Sequence, residues 1–153
     1  MELTEWQIIL LSTAVGSAVP LVLIVLREIY QERKLGRQIR NILIGELSSI
    51  QETLDEALSK GITDERDKES VRIPQDTSLY DSFPLDTTYY DDMEIETLAK
   101  YLKADTLKLL QRLYRMIYDY NQSYMRFVGA HRINIKLTNE LLERIGQSIK
   151  ALN

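Results

Sequence analysis

Residues 105–127 read DTLKLLQRLYRMIYDYNQSYMRF, and Leu110, Leu113, Ile117, Tyr120, Tyr124 and Phe127 recur along them in steps of three and four. That spacing keeps one apolar seam on one side of a helix, a heptad-like pattern that requires a partner to cover it. Asp105 stands where a helix N-cap would. Continued beyond Phe127, the register lands on His131, Asn134 and Thr138, all polar, while a new stripe begins as Ile133, Leu137, Leu141, Ile145 and Ile149. The change predicts a turn near Gly129–Asn134 and a last helix folding back on the first. A single helix over 105–151 is the alternative.

Upstream, Asp86 and Thr87 are candidate N-caps for a short helix ending near Lys103. Asp91, Asp92, Glu94 and Glu96 crowd its first half, where the helix dipole favours acids. Residues 61–85 combine dense charge with Pro74 and Pro84 and hold no period, so they are expected to be an acidic linker. Residues 27–60 carry Leu35, Ile39, Leu43, Leu47, Ile50, Leu54 and Leu58 in steps of four and three, an amphipathic helix with a candidate hinge at Gly36.

Trp6 to Leu26, WQIILLSTAVGSAVPLVLIVL, contains no charge, and twelve of its residues are Ile, Leu or Val. At 1.5 Å per residue it reaches roughly 30 Å, the depth of a bilayer's hydrocarbon core, and is expected to span a membrane. Trp6, Arg27, Tyr30, Arg33 and Lys34 are the expected interface residues. The opening Met1-Glu2-Leu3-Thr4-Glu5 lacks the basic start of a secretory signal. Acids before the span and bases after it place residues 1–5 outside and the C-terminal part in the cytoplasm, with the lipid bilayer as a partner. Pro20 predicts a bend, and Ser12, Gly16 and Pro20, four apart, form a small-residue face for helix–helix contact.

The fold class expected is all-α: a transmembrane helix over 6–26, its amphipathic continuation over 27–60, and a hairpin or bundle over 86–153. The parts after the span make a small antiparallel bundle of three to four helices. The chain of 153 residues has room for one such core and contains no cysteine, so disulfides and thiolate sites are excluded. The net charge of -4 conceals a segregation. Eleven acids stand against three bases over 61–96, and ten bases against four acids over 97–153. Attraction between these two segments is the simplest expectation.

No constellation rises to an active site. Asp92 and Glu96 would sit one turn apart on a single helix, but without a further ligand they read as solvated acids. His131 is the single histidine and has no ligand or nucleophile pattern around it. Tyr101, Tyr114, Tyr118, Tyr120 and Tyr124 interleave with Arg112, Arg115 and Arg126, a mix that can stack on nucleic acid. Tyr120 and Tyr124 fall on the apolar seam, however, so core packing is favoured over nucleic acid.

Phe83-Pro84, followed by Leu110, Leu113-Tyr114, Ile117 and Tyr120-Asn121, resembles a loose class of small prokaryotic or viral single-pass membrane proteins with a cytoplasmic helical domain. The resemblance implies architecture and carries no activity. The sequence therefore predicts a non-enzymatic membrane-tethered interaction domain without a cofactor, metal or small-molecule substrate, partnered by a second copy or a cytoplasmic protein. The alternative is a membrane-active viral, phage-type or toxin-like protein that oligomerises through its first helix.

Overall fold

The computed structural model describes residues 5–64, 67–74, 79–126 and 132–153, with side chains described from Pro20 onward except at 64, 67, 80, 125 and 126. The chain divides into two units, Met1–Gln38 and Ile39–Asn153. Helix α1, Glu5–Lys60, runs through both, uninterrupted at Pro20, Gly36 and Gly45.

In the first unit, Leu21, Val22, Leu23, Ile24, Val25 and Leu26 are each more than half exposed, and Ile29 is 42% exposed. The expected membrane span is corrected here: among the described residues no helix is long and apolar enough to cross a membrane. Residues 6–19 of that expectation, including Trp6, Ser12 and Gly16, lie outside the described side chains. The single-pass placement goes with the span, and so does the assignment of outside and cytoplasmic ends, since flanking charges orient a helix only where one crosses. Pro20, Arg27, Tyr30, Arg33 and Lys34 are exposed positions along α1.

In the second unit α1 turns its stripe inward. Ile39, Leu43, Leu47, Ile50, Leu54 and Ala57 are buried, whereas Leu35, in the first unit, stays 44% exposed. The remaining elements are β1 (Ile62–Asp64), β2 (Asp67–Arg72), a 3-10 turn (Tyr80–Ser82), α2 (Thr88–Asp91), α3 (Ile95–Tyr101), α4 (Ala104–Arg126), β3 (Arg132–Asn134) and α5 (Ile135–Leu152). Helices α4 and α5 pack on each other, so the 105–151 region is a hairpin.

The three strands form an antiparallel sheet in the order β1-β2-β3. Thr63 faces Val71 and Val71 faces Ile133 across the two ladders. This corrects the all-α bundle and the structureless acidic linker. Val71 and Ile133 are buried, as is Ile73 just after β2, and β2 and β3 exist as a pair because residues some sixty positions apart meet, Val71 with Ile133. No local period announces them. Gly61 makes the exit from α1 possible: its N–H donates to the Ala57 carbonyl at 3.0 Å. A Cβ there would lie 2.6 Å from that oxygen and 2.8 Å from the Val71 side chain.

The seam of α4 is buried as read, through Leu110, Leu113, Ile117, Tyr120 and Tyr124. Phe127 and the residues to His131 lie outside the described residues. On α5 the buried face is Thr138, Leu141, Ile145, Ser148 and Leu152. This is the α4 register carried on in steps of three and four, and Leu137, expected inside, is 37% exposed. The last helix therefore does fold back on α4, without the loss of phase that suggested it, and residues 127–131 of the expected turn lie outside the described residues. Thr138 enters the core because its hydroxyl donates to the Asn134 carbonyl at 2.7 Å and bonds the Tyr120 hydroxyl at 2.9 Å. Ser148 likewise donates to the Arg144 carbonyl at 2.9 Å.

Candidate functional site

Glu46 lies on the core side of α1, one residue before Leu47, and is 7% exposed. A carboxylate so placed needs donors, because burial without them costs several kcal/mol. It has three. Oε1 accepts from the backbone N–H of Tyr89 at 2.8 Å and of Tyr90 at 3.4 Å, and Oε2 accepts from the Tyr114 hydroxyl.

These bonds explain how a helix as short as α2 forms. Its N-cap, Thr87, makes no side-chain capping bond. The Thr88 N–H goes instead to Asp86 Oδ1 at 3.0 Å, and the next two N–H groups go to Glu46 on α1. The orphan donors of the first turn are thus met by two carboxylates, one local and one from 43 residues away. The ring of Tyr90 stacks on that of Tyr114, with centroids 3.7 Å apart and planes 5° from parallel.

The preceding chain is fastened to α4 in the same manner. Asn121 Nδ2 donates to the Leu85 carbonyl and its Oδ1 accepts the Leu85 N–H, both at 2.9 Å, so one side chain imitates a strand partner. Phe83, which precedes Pro84 through a cis peptide bond, packs its ring on Tyr124 at 4.9 Å. Residues 83–90 are therefore held by Glu46 from one helix and by Tyr114, Asn121 and Tyr124 from another. The two motifs singled out in the sequence, Phe83-Pro84 and the Tyr-Asn pair at 120–121, meet here.

Burial raises the pKa of Glu46 above its usual value; bonds from Tyr114, Tyr89 and Tyr90 offset part of the rise, and Asp86 adds to it. Burial, and then the bond to Glu46, raises Tyr114 far above the ordinary phenol range. Asp86 is lowered by its bonds from the Thr88 side chain and backbone. Tyr120 is pushed up to about 12, chiefly by burial. A cavity of about 310 Å³ adjoins Glu46, with Gly45, Ser49, Thr53, Ser82 and Asp86 among its lining. Three of the carboxylate's lone pairs are already engaged, so the geometry suits fastening better than proton transfer.

Asp92 and Glu96, read from the sequence as solvated acids one turn apart on a single helix, are exposed but do not share a helix: Asp92 caps the end of α2, while Glu96 belongs to α3. Among the described residues no group of three or more His, Cys, Asp or Glu could hold a metal ion. His131 lies outside the described residues. Tyr114, Tyr120 and Tyr124 are buried, and Tyr118 is 62% exposed. Asp81, Asp92, Glu94 and Glu96 are exposed, as are Arg112, Arg115 and Arg144, and no ion pair joins them. Glu46 escaped the reading of the sequence; the available signal was a lone acid inside an apolar stripe, between Leu43 and Leu47.

No protein-family model matches the chain, and no curated protein or solved structure proves similar to it.

Proposed function

We propose that this chain is a non-enzymatic interaction protein that assembles with further copies of itself through the apolar length of α1. One observation carries the reading: Leu21 to Leu26 are six consecutive apolar residues, each more than half exposed, and six residues point in every direction round a helix. An apolar helix surface of that extent marks a contact, since isolated chains rarely leave one open. Val22, Leu26 and Ile29, in steps of four and three, supply the face for a first neighbour. The opposite side, with Leu23 and Ile24, supplies one for a second. The unit Ile39–Asn153 is then the part presented by the assembly, and Glu46 keeps its acidic segment in place.

Sedimentation of the purified full chain tests this. The expected result is an oligomer that Val22→Glu with Leu26→Glu converts to monomers, leaving the circular dichroism of the folded part unchanged. A strictly monomeric parent chain overturns the proposal, as does a segment that associates with lipid vesicles in preference to a second copy.

A further inference from the structure

A second cavity, of about 320 Å³, opens where α4 meets α5. Leu109, Leu113 and Met116 give it an apolar lining, and Arg112, Arg115 and Arg144 stand at it. All three arginines are exposed, and among the described residues none makes an ion pair or side-chain hydrogen bond. Asp119 is the one acid in the lining, so the site keeps a surplus of positive charge on a chain that is acidic overall, at -4. Neither the fold's core nor the contact proposed for α1 uses the three guanidinium groups.

We infer that this crevice binds a small amphiphilic anion, a carboxylate on a short apolar body. The volume is at the lower end of what small-ligand sites occupy. An apolar floor with several donors at its edge is how such sites combine affinity with orientation. Guanidinium is the group whose planar fork matches a carboxylate with two parallel bonds, and three unengaged guanidinium groups beside one acid select for negative charge. Leu113 and Met116 would cover the alkyl part, Met116 adapting to its shape through its flexible thioether. The two apolar surfaces of the chain thus differ in kind: that of the first unit is uncharged over residues 21–26, whereas this one is collared by cations.

The test is a titration of the full chain, labelled at its methionine methyl groups, with decanoate, decanol and decyltrimethylammonium, followed by NMR. The chain has four methionines, and Met116→Leu assigns the resonance in the cavity. Decanoate is expected to shift the Met116 methyl saturably and to bind at least about tenfold more tightly than decanol, the ratio that one charged hydrogen bond supplies. The Arg112→Gln and Arg144→Gln double variant should lose about tenfold in decanoate affinity and none in decanol affinity. Should that variant fail to fold, the comparison of the two ligands on the parent chain still decides. Equal binding of decanoate and decanol, or decanoate binding that leaves Met116 unmoved, overturns the inference.

Discussion

Glu46 is the residue on which local structure depends most. Truncation by Glu46→Ala would strand the Tyr114 hydroxyl and the N–H groups of Tyr89 and Tyr90. Urea unfolding is expected to show a loss of roughly 2–4 kcal/mol. Glu46→Gln keeps an acceptor for the two N–H groups and offers its amide to the Tyr114 oxygen, so it should cost far less. It should also change the response to pH. Because burial raises Glu46 above its usual 4.5, the folded chain retains a proton that the unfolded chain has released just above that pH. Stability from this group therefore falls as pH rises through the interval up to the raised pKa. Unfolding of the parent and the Gln variant across that interval should reveal a fall in the first that is missing in the second. Glycines give a contrast at the same scale. Gly146 has open space for a Cβ, so Gly146→Ala should stabilise α5 by about 0.5–1 kcal/mol. At Gly61 a Cβ meets the Ala57 carbonyl and Val71, so Gly61→Ala should destabilise. Thermal melts of the two variants would move in opposite directions.

Among the elements, α1 and α4 were legible because their burial follows a period that a helix imposes. The sheet was not. β2 reads DKESVR, whose two apolar neighbours, Val71 and Ile73, make no pattern until Ile133 is set opposite Val71. A double-mutant cycle of Val71→Ala and Ile133→Ala tests that register, with a coupling of roughly 0.5 kcal/mol or more expected. α5 was half legible. Leu141 and Ile145 were read correctly, but Thr138 was excluded as polar, although it and Ser148 each satisfy the hydroxyl on the carbonyl four residues back. Asn134 seemed a break in the seam and is the N-cap of α5, accepting from the Leu137 N–H at 2.9 Å. Asn134→Ala should cost about 1 kcal/mol, read from denaturant unfolding.

For the whole molecule, the sequence drew attention to the apolar stretch before Arg27 and to charge held in blocks, and both features persist in altered form. The stretch belongs to one continuous α1 whose described apolar residues are open, and the expected span is withdrawn. Asp81, Asp92, Glu94 and Glu96 on one side and Arg112, Arg115 and Arg144 on the other remain exposed and unpaired with one another, so the attraction expected between the two blocks is not realised by these residues. Glu46 stayed hidden because its role is set by Tyr89, Tyr90 and Tyr114, which come close only in the fold. What the fold adds is a buried core in the second unit and an open apolar length of α1 in the first, the length on which the proposed self-association rests. Because the chain has no cysteine, a single introduced thiol reports directly on that length. The decisive measurement is oxidative cross-linking of the full chain carrying Leu26→Cys, beside a control carrying Tyr118→Cys. Self-association through α1 predicts rapid disulfide dimers from the Leu26 variant and few from the Tyr118 variant, whose position is exposed on α4. Equal, slow cross-linking at both positions would contradict it.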